Sequence, residues 1–201
     1  RLPGAASNGL SGLAHIRGGE EDETLVVFDG LPLMQPFHLR LIQSPTSVLD
    51  ERVIQGLDVY TGGFGAEYGD RMGSVVDVRS VHPEADEHYE LGLGTFHVNG
   101  LAARRFDEGR GQWLAALRVS SLDLTADLID FDLGDPHYVD GYGRLDYEFS
   151  DSTRGSLHLL AARDSIDITS RDGAETATAS YRNAYAWATL EHSFTSRLSG
   201  R

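Results

Sequence analysis

Hydrophobic and polar positions follow two different rules along the 201-residue chain, and the change falls near Ser80. Before it, short β-branched runs are punctuated by glycine. Ile16 to Gly19 closes one run. Thr24-Leu25-Val26-Val27-Phe28 is a continuous apolar strand ended by Asp29-Gly30, a strong turn dipeptide. Pro45 to Arg52 predicts a short helix, with Ser44 or Thr46 as its cap and Val48, Leu49 and Arg52 continuing the turn. Val53 to Tyr60 predicts a strand before Thr61-Gly62-Gly63. Ser74 to Arg79 predicts another, with Val76 and Val78 alternating against Asp77 and Arg79. The result is an α+β mini-domain over residues 1–80, too small to be stable without support.

Residues 81–87 are polar and read as a linker. From residue 88 to 201 the pattern is strict alternation. Tyr89, Leu91, Leu93 and Thr95 alternate with Glu90, Gly92, Gly94 and Phe96. Trp113, Ala115, Leu117 and Val119 oppose Gln112, Arg118 and Ser120. Val139, Leu145, Tyr147 and Phe149 oppose Asp140, Arg144, Asp146 and Glu148. Leu157, Leu159 and Ala161 oppose Ser156 and His158. Ala184, Ala186, Ala188 and Leu190 oppose Asn183, Tyr185, Trp187 and Thr189. About six antiparallel strands result, each with one apolar face. Segments of about ten residues with this period suit a transmembrane barrel strand. A water-soluble sandwich has the same alternation and fits this half equally well.

The predicted connections alternate in length. Asp107 to Gly111, Ser150 to Arg154 and Thr195 to Gly200 are short. Leu124 to His137 and Ser165 to Ser180 are long. Short turns on one rim and long loops on the other are an outer-membrane barrel's arrangement. Tyr138 near one end and Tyr147 and Phe149 near the other suit interfacial girdles.

Composition narrows the function classes. With no cysteine, thiol nucleophiles, disulfides and Cys-based metal sites are excluded. A formal net charge of -14 weighs against a nucleic-acid partner and against electrostatic docking of the whole surface onto anionic lipid. No apolar run reaches the roughly 20 residues of a membrane-spanning helix. The chain begins at Arg1 without a signal-peptide pattern, and both ends read as cuts in a longer protein.

The first half carries motifs in series: Leu2-Pro3-Gly4; Ile16-Arg17-Gly18-Gly19; Val27-Phe28-Asp29-Gly30-Leu31-Pro32; and Ile54 to Tyr60 followed by Gly62-Gly63-Phe64-Gly65-Ala66-Glu67-Tyr68-Gly69. Arg71-Met72-Gly73-Ser74-Val75-Val76-Asp77-Val78 follows them. In order and approximate spacing these resemble the plug of TonB-dependent outer-membrane receptors. The resemblance implies a mainly β chain: the C-terminal part of a plug, then the first strands of an incomplete transmembrane β-barrel. Such barrels have 22 strands, so this stretch cannot close a pore.

The resemblance implies energised uptake of a scarce solute (siderophore-iron, cobalamin, glycan or peptide) across the cell outer membrane of a Gram-negative bacterium. Its partners would be the TonB-ExbB-ExbD complex, reached through an earlier plug segment, a nutrient ligand, and outer-membrane lipid. A passive outer-membrane receptor or adhesin, and a soluble β-rich hydrolase, are the alternatives.

No catalytic constellation is legible. There is no Gly-x-Ser-x-Gly elbow and no His-Glu-x-x-His; the eight histidines are scattered, and no cofactor or metal is implied. A phosphate-cradling reading of the Gly-rich stretch lacks the Gly-Lys-Ser/Thr that would follow. Gly18, Gly19, Asp29, Gly30, Gly62, Gly63 and Gly69 are read as architecture that permits tight turns. The resemblance implies that Arg17 and Arg71 pair with acidic groups of the barrel wall. It also places substrate contacts after Asp29-Gly30, at Gln35, Phe37, His38 and Arg40, with Met34 beside them. Asp127, Asp130, Asp132 and Asp135 lack the EF-hand spacing and read as a solvated acidic loop.

Overall fold

The computed structural model describes residues 5–6, 15–16, 23–40, 46–65, 67–68, 73–121, 135–169, 176–195 and 198–200. Two compact units result, Arg1–His82 and Pro83–Arg201.

In the first unit, β1 (Ala5–Ala6) pairs with β2 (His15–Ile16). Strands β3 (Thr24–Phe28), β4 (Leu31–Leu33), β5 (Phe37–His38), β6 (Thr46–Ser47), β7 (Ile54–Tyr60) and β8 (Ser74–Ser80) follow. A mixed sheet runs in the order β4-β3-β8-β7, with β3 and β8 parallel at its centre. Central parallel strands are covered on both faces, which explains why Leu25 to Phe28 form an unbroken apolar run and are all buried. Leu25, Val27 and Val75 form a core against which Phe64 and Tyr68 pack.

Asp29 and Gly30 join β3 to β4 with φ of 46° and 87°. Positive φ at both central residues is the type I′ hairpin geometry that Asp-Gly favours. The Asp29 carboxylate also accepts hydrogen bonds from the Ser80 backbone N–H at 2.9 Å and from the Ser80 hydroxyl. One residue therefore shapes the hairpin and ties the ends of β3 and β8 together.

The helix predicted over Pro45 to Arg52 does not form. Thr46–Ser47 is a strand paired with Phe37–His38, and the only helical turn there among the described residues is a 3-10 turn over Glu51–Val53. Asp50 caps it, accepting from the Arg52 N–H at 2.9 Å, in place of Ser44 or Thr46. The β-branched Val53 and Ile54 then lead directly into β7, so the turn has no room to propagate.

The second unit is one sheet of seven strands. They are β9 (Glu87–Leu93), β10 (His97–Phe106), β11 (Gly111–Ser120), β12 (Asp135–Ser150), β13 (Thr153–Thr169), β14 (Thr176–Thr195) and β15 (Leu198–Gly200). Each pairs antiparallel with its sequence neighbour, giving an unclosed up-and-down meander. The count exceeds the expected six. β15 occupies part of the predicted Thr195–Gly200 turn, and Thr95 and Phe96, expected in the first strand, lie in the turn before β10.

Two predicted loops are also shorter than expected. β12 begins at Asp135, and β13 and β14 remain paired out to Thr169 and Thr176. Residues 164–169 and 176–180 lose the outward apolar positions, while Ile166 and Ile168 pair with Ala179 and Ala177 on the opposite face, so pairing outlasts the outward hydrophobic signal.

Candidate functional site

The seven-stranded sheet buries the face expected to be polar and exposes the apolar one. Leu91, Leu117, Leu145, Leu157, Leu159 and Leu190 are exposed. The opposite face buries Asn99, Gln112, Arg118, Asp140, Arg144, His158 and Asp164 among Leu101, Leu114 and Leu160. A water-soluble sandwich packs its apolar faces together. An apolar exterior around a polar interior is the arrangement of a transmembrane barrel. The choice that alternation alone left open is settled by this orientation.

Strand register assembles the buried polar groups. Arg118 and Asp140 face each other directly across β11 and β12. The Arg118 Nε and one terminal nitrogen each lie 2.8 Å from an Asp140 carboxylate oxygen, and both residues are nearly solvent-free. The guanidinium also sits 5.3 Å over the Tyr138 ring. Four residues along β12 from Asp140, Arg144 donates to Asp146 at 2.7 Å. The Tyr142 hydroxyl meets His158 Nδ1 at 2.9 Å, and His158 stacks on its cross-strand partner Trp187, 4.6 Å between centroids. A buried charge needs such partners, because unpaired it would cost several kcal/mol. Tyr138 shares the parity of Asp140 and Tyr142 and is buried with them, so it is not part of an outward girdle as expected.

The short-turn rim carries a different device. Outward-facing Phe106 ends β10, Phe149 and Phe194 stand one residue before the ends of β12 and β14, and each ring lies over a glycine of the following strand: Gly111, Gly155 and Gly200. Tyr147 stacks on Phe106 and meets Phe149 edge-on. Arg110 lies over the Tyr147 ring. Tyr147 and Phe149 were singled out from sequence; Phe106 and Phe194 were not. The signal was present as a phenylalanine and a glycine bracketing each short turn, in Phe106…Gly111, Phe149…Gly155 and Phe194…Gly200.

In the first unit, Met34 and Arg40 are exposed, Gln35 and Phe37 are half-buried, and His38 is fully buried. Phe37 and His38 lie in the β5–β6 pair, with the intervening residues 41–45 undescribed. Gly62 and Gly63 both have positive φ, and Gly63 stands in open space. Tyr68 donates to Asp77 at 2.9 Å, which together with desolvation pushes the phenol up to about 12. Arg79 pairs with Asp58 across β7 and β8, raising the guanidinium above its ordinary value. Arg17, Gly18, Gly19, Gly69 and Arg71 lie outside the described residues, as do Asp127, Asp130 and Asp132.

No protein-family model and no curated protein sequence matches the chain. Solved structures do. FpvA of Pseudomonas aeruginosa, solved bound to heterologous pyoverdines, matches 96% of this chain with a TM-score of 0.63 at 15% identity. The ferripyoverdine receptor of the outer membrane of the same organism, bound to ferripyoverdine, gives 0.62 at 14%. The P. aeruginosa ferric enterobactin receptor PfeA gives 0.59 at 14%, again over 96% of this chain. The chain spans 29%, 28% and 35% of those receptors.

Proposed function

We propose that this chain, which has the fold of TonB-dependent outer-membrane receptors over the end of the plug and the first barrel strands, belongs to a transporter that imports a scarce solute under TonB drive. The observation that carries the reading is the inverted sheet, apolar outside and ion-paired inside, continuous in sequence with a small plug-like mixed sheet. Such a wall fits a lumen filled by protein or water and an exterior filled by lipid. The protein works in the cell outer membrane, with its long loops outward, and it binds and moves its solute without chemical conversion.

The solute is one of four kinds: ferric siderophore, cobalamin, glycan or peptide. Receptors for ferripyoverdine and ferric enterobactin share the fold, so ferric siderophores are the first to test. Gln35, Phe37, His38 and Arg40 are the proposed plug contacts, with exposed Arg40 best placed to meet an anionic ligand. Arg17 and Arg71 are proposed to pair with carboxylates of the barrel wall.

The test uses the intact receptor in its own outer membrane. Deleting its TonB contact should abolish uptake of the ligand while binding to whole cells persists. Uptake that survives the deletion would overturn the transporter reading in favour of a passive receptor. Arg40→Ala should weaken ligand binding at unchanged receptor abundance.

A further inference from the structure

The outward face of β13 and β14 carries an unbalanced charge. Arg163 and Arg182 are directly opposed in the register, both are exposed, and both share the face of Leu159, Ala161, Ala184 and Ala186. Like charges directly opposite each other destabilise a sheet. No hydrogen bond or ion pair joins either guanidinium to another described residue. The nearest outward acid along β13, Asp167, lies four residues on, about 13 Å away at strand rise, and accepts a hydrogen bond from Thr178 at 2.6 Å.

The surface beside the pair is shaped. The next row toward the short turns is Gly141, Ala161 and Ala184; the row after it is Gly143, Leu159 and Ala186. These six residues line an open, almost wholly apolar depression of about 510 Å³. Two consecutive rows of mostly glycine and alanine hollow the outer surface, and the two arginines stand at one end of the hollow. In the other direction the row is His137, Ser165 and Ser180, all polar. The arginines therefore mark where the apolar outer face stops. They lie six residues, about 20 Å along the strand, from the strand tips at Thr169 and Thr176.

We infer that Arg163 and Arg182 together hold the phosphate of an anionic lipid in the outer leaflet, with an acyl chain of that lipid lying in the depression beneath them. The chemistry is specific to the pair. Two guanidiniums offer planar, bidentate donors to one phosphate, which cancels their mutual repulsion. The site's position matches a headgroup at the edge of the hydrocarbon layer. The chain's net charge of -14 does not oppose this, because the contact is local and within reach of hydrogen bonds. The inference rests on the outer-membrane reading above.

The experiment uses the full-length receptor, purified in detergent, mixed with phosphatidic acid or phosphatidylcholine of identical acyl chains, and examined by native mass spectrometry. Wild type should retain phosphatidic acid at least tenfold better than R163Q/R182Q, and phosphatidylcholine should be retained equally by both. Ala184→Trp, which keeps both arginines but fills the depression, should also lose phosphatidic acid. Millimolar inorganic phosphate should not displace the lipid. Equal retention of phosphatidic acid by wild type and R163Q/R182Q would overturn the inference, as would displacement by free phosphate. Retention undiminished in Ala184→Trp would overturn the seating of the acyl chain. A receptor that stays monomeric and folded in buffer without detergent would instead overturn the membrane reading itself. Heat-modifiable gel mobility confirms that each variant is folded.

Discussion

Leu159→Arg separates a lipid-facing sheet from a solvated one. Leu159 is 54% exposed on the outward face of β13, between Leu157 and Ala161. On a water-soluble protein an exposed Leu-to-Arg change is worth within about 0.5 kcal/mol. If the face meets hydrocarbon, a guanidinium near the middle of the apolar band costs about 2–4 kcal/mol, falling to about 0–1 kcal/mol at the interface. The difference corresponds to a roughly 30- to 1,000-fold change in the folding equilibrium. Arg163, four residues along the same strand and face, shows that the sheet accepts the side chain itself, so any cost reflects depth. Val119→Arg, in the same cross-strand row as Arg163 but not directly opposite it, is the control at the interface. The full-length receptor would be folded into phospholipid vesicles and unfolded in urea, with fluorescence of Trp113 and Trp187 as the signal. The expected order of stability is wild type, then Val119→Arg, then Leu159→Arg well below both. A Leu159→Arg protein as stable as wild type would refute the assignment of this face to lipid, and with it the barrel.

The buried pair gives a second outcome: Asp140→Ala should cost about 3–5 kcal/mol by stranding Arg118, whereas Arg118→Met with Asp140→Leu should lie close to wild type, both read from urea unfolding in vesicles. Asp29→Ala should destabilise the first unit by about 2–3 kcal/mol, through two lost bonds to Ser80 and an alanine forced to positive φ. Asp29→Asn should recover part of that loss, because asparagine tolerates the left-handed region; limited proteolysis of the full-length receptor within residues 24–80 reports both. Tyr68 gives a pH signature. Its folded value of about 12 lies above the ordinary 10, chiefly because of its hydrogen bond to Asp77, so the folded state favours the protonated phenol. That stabilisation is complete below about pH 10 and is lost as pH rises toward 12, amounting to on the order of 1 kcal/mol once solvent screening at this half-buried group is allowed for. Tyr68→Phe should remove the corresponding slope from the proteolysis profile, and an unchanged slope would discount the bond.

Pattern made the strands legible wherever an apolar face met a polar one, as in β11 and β14. It failed where one of those signals lapsed. β10 escaped notice because Gly100 and Arg104 stand at outward positions that apolar residues hold elsewhere, which breaks the alternation. The upper halves of β13 and β14 were read as loop because their backbone pairing continues past the apolar band. The helix at 45–52 was expected from a capping residue and from Val48, Leu49 and Arg52 continuing the turn, and the pairing of Thr46–Ser47 with β5 overrode it; local propensity is weak against a tertiary partner. Asp29-Gly30 was legible because its turn chemistry is local. Its second role, holding Ser80, spans 51 residues and has no local trace. Alternation assigned residues to two faces but not the faces to inside and outside. That required coordinates, because a sandwich and a barrel differ only in which face is covered.

The inner wall's polarity bears on how a plugged barrel can be opened. Arg118 has its carboxylate on the neighbouring strand, Arg144 has one two residues along its own strand, and His158 has Tyr142 and Trp187. Each of these groups has a partner contributed by the sheet itself. If these charges relied on the plug alone, each rearrangement of the plug would strand them at several kcal/mol apiece, and the barrel would resist being emptied. A wall that supplies its own counter-charges avoids that cost.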